Sequence, residues 1–204
     1  MELLLEQAVQ GMRKKGFEVV ELRTAAQART YLLAQITPGM SVGVGGSVSV
    51  RDIDVLNPLA QQGCKVYSSW GANPQDVPAL RRASRDAQVY LTSANAVTKT
   101  GELVLIDGAG NRVGAICDGP EHIYFVISHS KVVDGGINTA IARIKKTACP
   151  QNTRRLGIET ACARTGACAG EACENSICCL TLVVDRLPRG RKFTVVFVEE
   201  ALGY

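Results

Sequence analysis

Apolar positions along the first fifteen residues recur at helical spacing: Leu4, Leu5, Ala8, Val9 and Met12 share one face, and Gly16 follows as a stop. Phe17 to Leu22 then reads as a strand, Thr24 as the N-cap of a helix reaching about Gln35, and Thr37-Pro38-Gly39 as a turn. Ser41 to Gly45 is a short buried strand opening into Gly45-Gly46-Ser47, with short helices expected at about Val50 to Leu56 and Pro58 to Gln62. The alternation continues: strand Lys65 to Ser69, helix Pro78 to Arg85, strand Gln88 to Thr92, polar loop Asn95 to Thr100, strand Leu103 to Ile106. A helix at Arg112 to Cys117 and a β-branched and aromatic strand at Ile123 to Ile127 follow. Next comes a helix at Gly136 to Lys146 with Ile137, Ala140, Ile141 and Ile144 on one face.

Strands and helices thus alternate over about two-thirds of the chain, which predicts an α/β fold with an open, mostly parallel sheet and helices on both faces. The last quarter departs from this rhythm. A cysteine-rich loop precedes Leu180 to Val184, the turn Arg186 to Gly190, and Phe193 to Val198, and these two runs read as a hairpin. A chain of 204 residues with 46% hydrophobic content can bury one sizeable core, so one domain over 1–204 is expected, with a cysteine-rich segment at 149–179.

Three segments carry candidate chemistry. Gly43-x-Gly45-Gly46-Ser47 follows a strand and precedes a helix. Its glycines let backbone approach a ligand, and the helix-start amides with the Ser47 and Ser49 hydroxyls suit a phosphate or carboxylate. The alternative is a tight strand-to-helix turn without a ligand. In Asp107-Gly108-Ala109-Gly110-Asn111-Arg112 the aspartate ends a strand, and open α/β sheets bind ligands at that edge. Asp107 is the candidate general base or acceptor, Asn111 an orienting amide and Arg112 an anion clamp, with Gly108 and Gly110 shaping the loop. The alternative is an Asx-type turn in which Asp107 and Asn111 cap backbone amides. Asn95 and Thr98 are expected to face the same cleft.

The third segment is Cys162-x5-Cys168-x4-Cys173-x4-Cys178-Cys179, which holds five of the eight cysteines. Soft ligands gathered on one loop of a cytosolic chain favour an iron–sulfur cluster or zinc over disulfides. Cys162, Cys168 and Cys178 are assigned as ligands with Cys173 as the fourth; Cys149 and Cys179 are the alternatives for that place. No metal, with free thiols or a redox disulfide, is the other alternative. His122 and His129 are the only histidines, too few for a Ser-His-Asp arrangement, and each reads as a strand-end residue.

The run from Thr92-Ser93-Ala94-Asn95-Ala96-Val97-Thr98-Lys99-Thr100-Gly101-Glu102-Leu103 through Ile106-Asp107-Gly108-Ala109-Gly110-Asn111-Arg112-Val113 resembles the LUD (lactate utilization) domain family. So do Gly43 to Ser47, Gly119-Pro120, the Cys162 to Cys179 segment and Glu199 to Tyr204, in the order of the family's free-standing members. The resemblance implies a fold like that of ribose-5-phosphate isomerase, glucosamine-6-phosphate deaminase and the CoA transferases, and a link to bacterial lactate utilization, without a defined reaction. In rough location only, Glu102 matches the carboxylate nucleophile of CoA transferases. The family's cysteines follow a pattern close to Cys-x5-Cys-x2-Cys-x6-Cys. Cys162, Cys168 and Cys178 fit it, Glu171 stands in the third place, and Cys173 and Cys179 are the substitutes.

A net charge of +4 with scattered basic runs argues against nucleic acid as a partner. No stretch approaches the ~20 apolar residues of a membrane-spanning helix, and the N-terminus lacks a secretory pattern, so a cytoplasmic protein is expected. The expected partners are a small-molecule ligand and a redox partner protein, with a homo-oligomer open. Three functions follow: an enzyme or binding protein for a small carboxylate- or phosphate-bearing metabolite, an iron–sulfur or zinc redox accessory acting through the cysteine loop, and a structural subunit of a lactate-oxidising complex.

Overall fold

The first helix, α1 (Glu2–Lys14), buries Ala8, Val9 and Met12, and it carries Glu2 in its first turn and Arg13 and Lys14 in its last, the charge order that a helix dipole favours. The computed structural model describes all residues from Met1 to Tyr204. After β1 (Glu18–Leu22), Thr24 and Gln27 form a capping box at the start of α2 (Ala25–Gln35). The following elements are β2 (Ser41–Val44), α3 (Val48–Asp52), α4 (Leu56–Gln61), β3 (Lys65–Tyr67), α5 (Val77–Arg85), β4 (Val89–Thr92), β5 (Ala96–Thr98), β6 (Leu103–Asp107), α6 (Asn111–Asp118) and β7 (His122–Ser128). A 3-10 turn, His129–Lys131, leads into β8 (Val132–Val133). Next, α7 (Ile137–Arg143) runs through a π-helical segment, Ile144–Ala148, into α8 (Cys149–Leu156). The chain then forms α9 (Ala161–Thr165), β9 (Leu180–Val184) and β10 (Lys192–Val198).

Six strands in the order β1-β10-β7-β4-β2-β3 make one sheet, and every neighbouring pair in it is parallel. This is the expected open sheet, and both of its faces are covered. Alternate residues of β7 and β10 divide between two cores. Ile123, Phe125, Ile127, Phe193, Val195 and Phe197 pack with α1 and α6, while Tyr124, Val126, Val196 and Val198 pack with Ala28 and Leu32 of α2 and Leu59 of α4. The near-continuous apolar runs of these strands reflect burial on both sides.

A second sheet was not anticipated. Its order is β8-β5-β6-β9, with β6 antiparallel to both β5 and β9 and β8 parallel to β5. The segment expected to be a polar loop at Asn95 to Thr100 therefore contains β5. Val97, Leu103, Leu105 and Val184 complete the first core, and Ala96, Val104, Ile106 and Val133 on the other face pack with Ala140 and with Ile144 and Ala148 of the π segment.

The expected hairpin of Leu180 to Val184 with Phe193 to Val198 does not form. β9 pairs with β6 at the edge of the small sheet, whereas β10 inserts between β1 and β7 in the large one. Burial decides this outcome. β10 is buried at six consecutive positions from Phe193 to Val198, which a two-stranded ribbon could not provide, while β9 begins exposed and becomes buried only at Val184. The cysteine-rich segment is also more ordered than a loop: Thr160 caps α9, and Gly157 ends α8 in the left-handed conformation.

Candidate functional site

Because the large sheet is parallel, its strands present their carboxyl ends at one edge. The four central strands deliver Gly46 to Ser49 after β2, Ser93 to Asn95 after β4, Lys131 after β7 and Tyr204 after β10 to one cavity of about 540 Å³. Asp107, Gly108, Ala109, Asn111 and Arg112 complete the opposite wall from the carboxyl end of β6. The glycine loop and the Asp107 loop thus share a cavity, at the edge where open α/β sheets bind ligands.

Gly46 and Ser47 face the cavity, as do Asn95, Gly108, Asn111 and Arg112. Gly45 and Gly110 lie in the same loops but outside the lining, and Thr98 is elsewhere. A Cβ at Gly45 would lie 2.7 Å from both Arg112 Cγ and Tyr90 Oη, so this glycine admits neighbouring side chains; Gly46 meets nothing within 4 Å. The Ser47 hydroxyl accepts from Val50 N at 3.3 Å and caps α3. Thr98 and Thr100 both hydrogen-bond the Glu102 carboxylate, which pairs with Lys15 at 2.8 Å. Burial pushes the Glu102 carboxyl up, but the bonds from Lys15, Thr100 and Thr98 outweigh it and hold the group at about 2. Glu102 braces α1 against the small sheet and is not part of the cavity lining.

Asp107 is 6% exposed, and its Oδ2 accepts from the amides of Arg112 at 3.0 Å and Val113 at 3.2 Å. These are unpaired first-turn donors of α6, so the carboxylate caps that helix from outside it. Arg112 Nε is 3.9 Å from the same oxygen, and its other nitrogens donate to Ile106 O at 2.6 Å and Asn95 Oδ1 at 3.4 Å. The Asn95 oxygen also accepts from Ile106 N at 3.1 Å. Asp107, Arg112 and Asn95 therefore form one internally bonded unit with its outer face on the cavity.

Two features of the cavity carry no motif. Lys131 is 3% exposed, and its Nζ donates to Ser49 Oγ at 2.7 Å, Ser93 Oγ at 3.0 Å and Ala94 O at 3.3 Å. Burial, then the positive charges of Arg143 and Arg112, bring this amine down to about 7. Two guanidinium groups lie over the ring of Trp70, the single tryptophan: Arg51 at 4.6 Å and Arg155 at 4.7 Å from its centre. Arg81, Arg112, Arg155 and Lys131 line the cavity against one acidic side chain, Asp107.

Beside it lies a smaller pocket of about 250 Å³, lined by Cys149, Cys162, Cys168, Cys173 and Cys178 together with Lys145. All eight cysteines are free thiols. Cys149 Sγ and Cys178 Sγ are 3.4 Å apart; the hydrogen bond from Cys149 favours the Cys178 thiolate, lowering its pKa and raising that of Cys149. Cys162 Sγ lies 3.2 Å from Thr160 Oγ1. Cys179 is exposed and does not line the pocket. No three of the His, Cys, Asp or Glu side chains are close enough together to hold a metal ion. The pocket nonetheless gathers the three assigned ligands, Cys173 and Cys149, a soft donor set suited to iron–sulfur or zinc. Cys149, Ser176, Ile177 and Cys178 line both this pocket and the larger cavity.

These features define an α/β protein of the open-sheet type with a basic cavity at the carboxyl edge of its central strands. The chain belongs to the LUD domain family, whose profile matches residues 5–198. Its fold is similar to that in the crystal structure of a DUF162 family protein from Deinococcus radiodurans, with a TM-score of 0.55 at 13% identity over 96% of each chain. No curated protein matches the sequence. No helix is long and apolar enough to cross a membrane.

Proposed function

We propose that the chain binds a small metabolite bearing a carboxylate or phosphate in the cavity between the β2 and β6 loops, in a role linked to lactate utilization. The observation that carries this reading is the charge of the lining: four basic side chains, Arg81, Arg112, Arg155 and Lys131, face one acidic one, Asp107. Guanidinium groups recognise carboxylate and phosphate through paired hydrogen bonds. Arg112 is held by its own partners, whereas Arg81 makes no side-chain hydrogen bond and Arg155, which donates to Asn152 Oδ1 at 2.7 Å, keeps an unpartnered Nε, so these two are the arms that can meet a ligand. The stack of Arg155 on Trp70 makes ligand binding readable by fluorescence. Titration with L-lactate, ribose 5-phosphate and coenzyme A thioesters should change Trp70 emission and raise the melting temperature for at least one class. Arg81→Ala with Arg155→Ala should weaken that response tenfold or more. A flat response to all three classes, or a response unaffected by the double substitution, rules the reading out.

A second reading is favoured by the convergence of five cysteines on one pocket. In it, Cys162, Cys168, Cys178 and Cys173 or Cys149 hold an iron–sulfur cluster, with zinc as the alternative, and the chain serves as a redox accessory to a partner protein. Such a cluster would supply one-electron transfer; the cysteines, as thiolates, would hold it, and Lys145 in the lining would offset negative charge. Purification without oxygen followed by metal and sulfide analysis tests this. Metal-free wild type, with unchanged stability in Cys162→Ser, Cys168→Ser and Cys178→Ser, excludes it.

A further inference from the structure

We propose that Lys131 is a nucleophilic amine that condenses with the carbonyl group of an aldehyde or ketone whose carboxylate or phosphate is held in the same cavity. This rests on the reading of that cavity as the seat of a small anionic metabolite, and it names the ligand's reacting group.

Lysine is rarely buried without a carboxylate. Lys131 is 3% exposed, yet its three hydrogen-bond partners are two hydroxyls and a carbonyl, and none of the ion pairs in the protein includes it. The charged groups that act on it are Arg143 from α7, Arg112 from α6 and Asp52 from α3. Asp52 is engaged by Gly203 N at 2.7 Å, and the two guanidinium groups disfavour an ammonium ion. A buried amine beside other cations keeps a reactive unprotonated fraction at neutral pH, the condition for imine formation. Structural anchoring alone would be served better by a neutral side chain.

The chemistry balances with groups already present. The nitrogen lone pair attacks the carbonyl carbon and forms the C–N bond, while the carbonyl π pair moves to oxygen. One N–H proton passes to that oxygen, for which the Ser49 and Ser93 hydroxyls at 2.7 and 3.0 Å are the nearest relays. The resulting carbinolamine loses its hydroxyl with the second N–H proton as water, leaving a C=N bond. No oxidant or reductant is consumed. The guanidinium groups of the cavity hold the ligand's anionic end, which fixes the carbonyl near the amine.

The test treats the intact protein with pyridoxal 5′-phosphate and, separately, with pyruvate, each in the presence of sodium borohydride, followed by peptide mapping. Lys131 should carry the reduced adduct at least tenfold ahead of the exposed Lys65 and Lys99, with a pH midpoint near 7. Lys131→Met should remove it; the wild-type map decides the matter even if that variant fails to fold. Adducts on the surface lysines with Lys131 unmodified overturn the proposal. Pyridoxine 5′-phosphate, which lacks the aldehyde, separates the two levels. If it shifts Trp70 fluorescence while no adduct forms at Lys131, the amine proposal fails and the anion-binding reading stands. If neither pyridoxal 5′-phosphate nor pyruvate leaves an adduct at Lys131, the amine proposal falls, and the anion-binding reading is decided by the titration with L-lactate, ribose 5-phosphate and coenzyme A thioesters.

Discussion

Gly11 of α1 and Gly101 of the β5–β6 turn lie against each other, so that a Cβ on either would overlap the other segment's backbone. The contact lets α1 sit directly on the turn that carries Glu102, and Lys15 at the end of α1 reaches that carboxylate from there. Gly101 also has φ +91, which side-chain-bearing residues avoid. Gly11→Ala should cost ~1–3 kcal/mol through overpacking, and Gly101→Ala more because strain is added. At ~2–4 °C per kcal/mol for a chain of this size, thermal denaturation resolves both. A Gly11→Ala protein melting with wild type would show that the helix is free to lift.

The same pairing sets an acid limit. The folded Glu102 carboxyl is held at about 2 against an ordinary 4.5, so its contribution is full above the ordinary value and is lost as pH falls through the folded one. Glu102→Gln should therefore destabilise by ~1.5–3 kcal/mol near neutrality, the range for hydrogen bonds to a charged group. The gap from wild type should narrow between about pH 5 and about pH 2. Urea denaturation across that range measures it, and a gap independent of pH would remove the carboxylate from the explanation.

Asp107 and Arg112 act on stability as well as on the cavity. Loss of the carboxylate in Asp107→Ala uncaps α6 and should cost ~1–2 kcal/mol. Arg112→Ala leaves the two amides on Asp107 but removes the guanidinium beside that carboxylate and its bonds to Ile106 O and Asn95 Oδ1, and should cost a comparable amount. Denaturation curves of both variants check this. Wild-type stability in both would mean that the pair serves only a ligand.

The two glycines of the β2 loop should separate cleanly. Gly45→Ala pushes a methyl group onto Arg112 and Tyr90 and should lower the melting temperature by several degrees, whereas Gly46→Ala enters open space and should leave it unchanged. Binding assays on the second variant then report on the cavity alone.

In metal-free protein, mild oxidation should join Cys149 to Cys178 first, since their sulfurs are 3.4 Å apart and one is readily a thiolate. Non-reducing peptide maps identify the pair. A first disulfide elsewhere would show that the segment rearranges before it reacts.

The large sheet was legible because its strands are buried on both faces and written as apolar runs, such as Ile123 to Ile127. The small sheet was not. Ala96 to Thr98 is three residues long between polar neighbours, and its partners β6 and β8 are set by tertiary packing. Adjacency in the chain and the turn at Arg186 to Gly190 suggest a β9–β10 hairpin, whereas burial sends the two strands to different sheets. Within the cavity, the glycine and Asp107 loops announced themselves by composition, and the cysteines by clustering, though Cys149 reaches their pocket only through the helix that starts with it. Lys131 left no trace in sequence. In His129-Ser130-Lys131 it reads as a solvated turn, and only the convergence of four strand ends buries it.

The two pockets have a wall in common. Cys149, Ser176, Ile177 and Cys178 present one side to the thiols and the other to the basic cavity. A molecule in the cavity that shields those sulfurs from oxidation or from a metal must, by reciprocity, be held more or less tightly once they are oxidised or metallated, and by the same factor. Filling the cavity and modifying the sulfurs would then be two loads on one lever within a chain of 204 residues.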